Sequence, residues 1–547
     1  NNMIQTHTLL ESMPLIKDAG LDTLHDILGC RLKQTKPILN ESLENALNLS
    51  DKGYIIRTNA IEAFSNAPFE IIGRFNANFK EIEEIEKSLE SFLAPESEDL
   101  KELQEEALSQ LSFQDDYFRC LNFVPYMLLG MSLYKVWLVP AMAIVVPFIA
   151  WIIPYIFLKF MYKLPISTEQ YGDIMKMLWS GSPIDFVKHG NEPLKLKTPD
   201  LFSARSILQG AFMIFSFAQS LIQPIQSAYH LYKIDRNVLE NGGKVIRLRT
   251  LYLEFQEEFK SLQIGFMYKN SLRQLDSDPR RAIHLLIEEP ERFRIALSEF
   301  AEFEILWRIA CSPLLNKSEL IMGGTGVPTL TATDINDISL GPVAVPSTVS
   351  FTGESHHAVL TGPNGGGKSS FLRGILQGCL LSHAYGVAPA ENFTIQKLSW
   401  ISSGLCLQDS PGSLSMFESE VFFAANVLKR TAEEGVGLIL YDELFHSTNP
   451  PDGIRTAEGF LRQLWTRDSI ISIVSTHVFE LVESAPESVQ RLCCSAEERK
   501  NKTLKFMYDI KPGICRVSSV KSIWDRFGLS AGKPRSEKPV KKQNPSQ

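Results

Sequence analysis

The chain has 547 residues, too many for one hydrophobic core, so two to four domains are expected. Apolar residues make up 44% and charged residues 22%, the balance of an ordinary globular protein, and a formal charge of −8 excludes a chain that coats nucleic acid along its whole length. Its eight cysteines form no C-x-x-C pair and stand at no zinc-finger spacing from a histidine, so reduced thiols in a cytosol-facing protein are expected. Residues 1–18 hold no long apolar run of the signal-peptide kind.

In chain order, residues 1–120 are polar with helical spacing. In 80–93 (K-E-I-E-E-I-E-K-S-L-E-S-F-L), Ile82, Ile85, Leu89 and Leu93 form one apolar stripe and the acids a solvated face, which predicts helical scaffold or coiled coil. Composition changes at 121, opening a hydrophobic region that extends to 230. Residues 136–158 carry no charged side chain and, as a helix, span roughly 34 Å, enough for a bilayer core. Lys135 is the only charge from 121 to 158, and Trp137, Trp151 and Tyr155 suit interfacial anchoring. Pro140, Pro147 and Pro154 recur every seven residues, a pattern that kinks or breaks a helix. The alternative is a buried core hairpin in a soluble protein.

A second uncharged run, 206–229, contains Gln209, Gln219, Gln223 and Gln226, and fits either a span or a buried helix. Two spans at 136–158 and 206–229 put the basic loop 159–205 outside, against the positive-inside tendency. A tight hairpin within 121–160, with Lys135 near its tip, returns that loop to the cytosol and is preferred. Charged helices resume over 231–322, Gly323, Gly324 and Gly326 break them, and short β-type runs open a nucleotide domain over 323–530. The basic, proline-containing tail 531–547 is expected to be disordered, free to touch anionic lipid or nucleic acid or simply solvated.

The chemistry concentrates in V-L-T-G-P-N-G-G-G-K-S-S-F. Gly362, Pro363, Asn364, Gly365, Gly366, Gly367, Lys368 and Ser369 satisfy G-x-x-x-x-G-K-[ST], a P-loop whose glycine backbone N–H groups wrap phosphates that a Cβ would hold away. Lys368 is expected to reach the β- and γ-phosphates and Ser369 to ligate Mg²⁺, at the positive end of the helix that begins there. Some seventy residues on, G-L-I-L-Y-D-E is an apolar strand ending in two acids: Asp442 suits the Walker B role of holding Mg²⁺, and Glu443 the general base for the attacking water. I-S-I-V-S-T-H is a further buried strand whose His477 would lie beside the γ-phosphate in a parallel sheet, able to sense it or position water.

The order and spelling of these motifs resemble the MutS family. T-G-P-N-G-G-G-K-S-S, with Ser370 as the second hydroxyl, is similar to that family's P-loop. D-E-L-F-H-S-T-N-P-P-D-G (442–453) is similar to its Walker B and D-loop, with Thr448, Asp452 and Gly453 in matching places, and S-T-H-V-F-E-L (475–481) to its T-H-x-x-E-L segment. S-L-S-M-F-E-S-E (413–420) resembles its signature stretch with Met416 in place of the usual threonine. The resemblance implies that Ser415 reaches the γ-phosphate of a partner subunit. F-M-Y-D-I-K-P-G (506–513) and A-E-F-E-I-L-W-R-I-A (301–310) match the family's Y-x-x-x-P-G and lever helix, so the likeness covers about 300–530. An N-terminal mismatch-reading domain with its F-x-E motif and a C-terminal helix-turn-helix extension are not found, so mismatch recognition is not implied.

The expectation is therefore an α/β P-loop NTPase domain preceded by an all-α lever-like region with a transmembrane or membrane-embedded helical hairpin. It would act as a membrane-anchored ATPase using ATP and Mg²⁺ at a composite dimer interface, a homodimer or hetero-oligomer with the ATPase domain facing the cytosol. A soluble DNA-binding repair or recombination clamp is the competing expectation. An ABC-type transporter is disfavoured, because L-S-G-G-Q and six-span architecture are missing.

Overall fold

The computed structural model describes residues 15–93, 108–163, 165–180, 186–187, 195–196, 204–264, 271–273, 277–323, 328–406, 415–432, 434–447, 449–498 and 504–517. The tail 531–547, much of the basic loop 159–205, most of the glycine break after 323, and Ser413, Leu414 and Thr448 of the family-like motifs lie outside these residues. Contacts divide the chain into two units: residues 1–80, 257–267 and 298–547 form one, and 81–256 with 268–297 the other. The helices Phe69–Leu93, Ala204–Ser261 and Pro290–Ala310 each give residues to both.

The first unit is built on a six-stranded sheet. Its strands in chain order are β1 (His357–Thr361), β2 (Leu398–Gly404), β3 (Val436–Tyr441), β4 (Ile470–Ser475), β5 (Val489–Glu498) and β6 (Leu504–Pro512). The spatial order is β2-β3-β4-β1-β5-β6, parallel throughout except for the antiparallel edge pair β5–β6. Every residue of β1, β3 and β4 is buried, as expected of inner parallel strands covered on both faces. A smaller sheet, in the order Glu319–Ile321, Asn392–Gln396, Leu330–Ile335 and Ser347–Phe351, belongs to the same unit.

Between β1 and β2 runs the P-loop helix Lys368–Tyr385, capped by Gly367 and Gly386 in the left-handed conformation and buried along nearly its whole length. Part of its cover comes from the start of the chain. Gln377 donates to the Ala19 carbonyl at 2.8 Å and to Asp337 at 2.9 Å while accepting from Ile338 N, Arg57 reaches the Ala384 carbonyl, and Lys397 pairs with Asp51 at 2.6 Å. Glu304, fully buried, accepts from Arg31 N, Leu32 N and the Thr35 hydroxyl at 2.8–3.2 Å and so anchors the turn ahead of the helix Thr35–Glu44. Trp307 packs edge-on against Phe64 and Phe75, and Phe259 against Phe303, in an aromatic core that fills this helical part.

The second unit is helical. Ile82, Ile85, Leu89 and Leu93 are buried, as their stripe predicts. Arg247 holds both oxygens of Glu81, and Arg280 both oxygens of Asp235, in two-pronged ion pairs.

The tight hairpin expected within 121–160 does not form. Residues Met127–Met161 make one continuous helix, among the described residues the one helix long and apolar enough to cross a membrane. Two π-helical turns, Leu133–Leu138 and Phe157–Met161, flank the α-helical stretch Val139–Ile156 that contains the prolines. Such wide turns re-route backbone bonds around prolines and let a helix continue where a break is expected. Lys135 lies within the helix, not at a tip, and donates to the Gln110 carbonyl at 2.5 Å. The partner of this helix is more distant in sequence. Trp137 stacks edge-on against Tyr232 and Phe148 against Phe217, which sets the start of Ala204–Ser261 antiparallel beside it. Both helices leave large apolar side chains exposed, among them Val146, Phe148 and Ile152 on one and Leu208, Phe212 and Phe215 on the other.

His383 lies buried in the P-loop helix with its tautomer fixed: Nδ1 donates to the Cys379 carbonyl at 2.7 Å and Nε2 accepts from Leu398 N at 2.9 Å. Burial pushes it down to about 4, whereas an unfolded histidine titrates near 6.5. The unfolded chain therefore takes up the proton first, and the stability present above pH ~6.5 is lost as pH falls toward ~4. Replacing His383 with Gln is expected to flatten the fall of the unfolding midpoint between pH 7 and pH 5, read by differential scanning calorimetry. An unchanged slope would show that His383 does not titrate this way.

Candidate functional site

All the sequence-selected chemistry of this unit except Ser415 collects at the carboxyl ends of the parallel strands, where loops from neighbouring strands meet. The P-loop leaves β1 through Gly362, whose φ of 151° places it 2.9 Å, measured from an added Cβ, from the Cys494 side chain on β5. No other residue fits there. Gly367, at φ 104°, ends the loop against Tyr508 of β6. Asn364 and Gly365 are exposed at the mouth, whereas Pro363 and Gly366 are buried and Ser370 is half-buried in the first turn of the helix. Lys368 is buried and donates to the loop carbonyls of Gly362 and Pro363 at 3.0 and 3.4 Å, so its ammonium lies at the base of the cradle.

Residues paired in the β3–β4 ladder (Leu440 with Ile473, Tyr441 with Val474) bring Asp442 opposite Ser475. The Ser475 hydroxyl donates to Asp442 Oδ1 at 2.5 Å and accepts from Glu443 N at 2.8 Å. The other Asp442 oxygen accepts from the Ser369 hydroxyl. Ser369 and Asp442 are hard oxygen donors facing each other, the kind of pair a small divalent cation takes when phosphate and water complete its shell. Among the described residues there is no cluster of three or more His, Cys, Asp or Glu that could hold a metal ion.

Glu443 adopts a left-handed backbone, φ 57°, a conformation that costs a residue with a Cβ about 1–2 kcal/mol. Its carboxylate accepts from His477 Nε2 at 3.1 Å. That hydrogen bond is the main reason its pKa lies below the usual carboxylate range, with burial opposing it and the charges of His477, Lys368 and His446 adding to it. The group is therefore ionised at neutral pH, an acceptor aimed by His477 into the cleft.

The cleft has a volume of about 520 Å³. Asn364, Gly365, Lys368, Ser369 and Glu443 line its polar side, and Leu340, Val343, Val345, Phe371 and Tyr508 supply an apolar wall. Ser415 does not line it. Ser415 is the exposed N-cap of the helix Met416–Arg430 in a capping box: its hydroxyl donates to Glu418 at 2.9 Å and accepts from Glu418 N at 3.3 Å. Sequence reasoning singled out neither Ser475 nor the apolar wall. The signal for Ser475 was a polar residue closing a strand that is apolar but for Ser472, just before Thr476 and His477. The wall comes from segments far apart in the chain and leaves no local pattern.

A glycine loop at the start of a helix, an acid after the neighbouring strand and a second acid hydrogen-bonded to a histidine are the arrangement of a P-loop domain. Residues 358–525 match the family model of MutS domain V. That stretch is therefore similar to the ATPase-type domain of the MutS family; the match takes in the P-loop, Asp442, Glu443, Ser475 and His477, while Leu340, Val343 and Val345 of the apolar wall lie ahead of it.

Ser475 makes a test of the site's construction. Ser475→Ala removes one donor to Asp442 and one acceptor for Glu443 N without changing the strand, so turnover is expected to fall about tenfold or more with a small change in thermal midpoint. Steady-state phosphate release and calorimetry on the same preparation check it, and unchanged turnover would rule out this hydroxyl as the pin of the two acids.

Proposed function

We propose that this chain is a membrane-anchored ATPase that binds ATP with Mg²⁺ and hydrolyses it at a site completed by a second subunit. The observation that carries the catalytic half is the meeting of Ser369, Asp442, Glu443 and His477 at one end of the sheet. In this reading the P-loop N–H groups and Lys368 bind the β- and γ-phosphates, and Ser369 with Asp442 would hold Mg²⁺, which would supply positive charge to offset that of the phosphates. Glu443 accepts a proton from the attacking water, and His477 keeps that carboxylate turned toward it. The nucleobase lies along the apolar wall near Val343 and Tyr508. Ser415, exposed at a helix N-terminus, is available to a partner's γ-phosphate once it gives up Glu418, and hydrolysis then shifts the helical levers.

The anchoring half rests on the continuous helix Met127–Met161, roughly 52 Å long, and on its antiparallel neighbour. Their exposed apolar faces are the kind a bilayer covers. The competing reading, a soluble DNA-binding clamp, leaves that surface in water.

Lys368→Ala is expected to abolish binding of a fluorescent ATP analogue, whereas Glu443→Gln retains binding and stops turnover. Wild-type hydrolysis in both variants would refute the site. For the membrane, the full chain is expected to stay in the pellet after carbonate extraction, and its release as a soluble dimer would refute anchoring.

A further inference from the structure

Glu420 lies in the second turn of the helix that Ser415 caps, and only 1% of it reaches solvent. A carboxylate so deeply buried is costly unless its oxygens are well partnered. Both partners come from the loop after β3. Oε2 accepts from the Ser447 hydroxyl, and Oε1 lies 3.1 Å from His446 Nδ1. The same Nδ1 lies 2.9 Å from the Glu443 carbonyl oxygen. Two acceptors therefore face one ring nitrogen, so Nδ1 carries the proton and shares it between them.

This arrangement bears on the most constrained part of the site. Glu443 and Phe445 both have left-handed backbones, φ 57° and 52°, within three residues. Such a turn persists only where its surroundings over-determine it. Its front is pinned by β4, through Ser475 Oγ to Glu443 N at 2.8 Å and Ser475 O to Leu444 N at 3.1 Å. Its back is held by His446 alone among the described polar contacts to the Glu443 carbonyl, and His446 is held in turn by Glu420. Phe445 closes the gap by packing edge-on against Phe417 of the same helix.

We infer that Glu420 is a positioning residue for hydrolysis. It clamps the Glu443 turn through His446 and so fastens the acid at one nucleotide site to the helix whose cap serves the other. The inference rests on the ATPase and dimer reading above and adds a specific device to it: the acid is correctly turned only while the Ser415 helix is in place.

The test uses the full chain in detergent, with ATP turnover and binding of a nonhydrolysable ATP analogue measured side by side. Glu420→Gln keeps the side chain's size and an acceptor for Ser447 but loses the charge that holds His446. Its kcat is expected to fall about tenfold or more while KM and analogue affinity stay within about twofold, a split that general loosening of the domain does not give. Wild-type kcat, or an equal loss of analogue affinity, would overturn the inference. Should Glu420→Gln not fold, His446→Ala tests the same clamp at a half-exposed position and should show the same split. The double variant should be no slower than the slower single, because both break one connection, and losses that multiply would refute the link. If the wild-type protein hydrolyses no ATP, the ATPase reading itself fails. If it does and Glu420→Gln matches it, only the clamp fails.

Discussion

One hydroxyl sets the spacing of the acids on which this site depends. Ser475 ends β4 and reaches across the ladder to Asp442 Oδ1 and Glu443 N, so the two residues after β3 are located by β4 rather than by their own strand. The parallel register makes this possible, because it brings the ends of β3 and β4 level and turns their polar caps toward the P-loop of β1. Asp442 then meets Ser369, and Glu443, forced into a left-handed turn, meets His477. A sheet of fully buried inner strands is stiff enough to hold groups to within tenths of an ångström, which loops alone do not achieve.

The P-loop and the strand-end acids were readable in the chain because a glycine loop of this kind places narrow demands on local sequence. A glycine loop that must approach an anion, and strands that must be apolar up to a polar end, leave marks within a few residues. Lys368, Ser369, Asp442, Glu443 and His477 gather at the carboxyl ends of neighbouring strands. What could not be read are contacts between distant segments. Gln377 satisfies its amide with Ala19, and Asp18 bonds Ser403 at 2.6 Å, pairings separated by more than 300 positions. Glu420 stood in the 413–420 stretch with no role of its own, because its partners Ser447 and His446 come from the loop after β3.

The hydrophobic region shows the reverse case, in which local rules misled. Three prolines argued for a kink or break, and the positive-inside tendency favoured a tight hairpin with Lys135 near its tip. The helix instead runs through them, with a π-helical turn on either side, and its partner is the helix that begins some forty residues beyond its end. Proline reports only its own missing N–H. Whether the chain bends depends on how neighbouring turns re-pair.

The packing of the first residues over the P-loop helix also limits how the ATPase part can be isolated. A fragment trimmed to begin near residue 300 would bare the side of that helix now covered by Ala19, Arg57 and their neighbours, and would leave the Gln377 amide without its carbonyl. The nucleotide domain is thus finished by residues far upstream of its motifs, and a minimal fragment has to keep the segment around Ala19 to Arg57 together with the P-loop sheet.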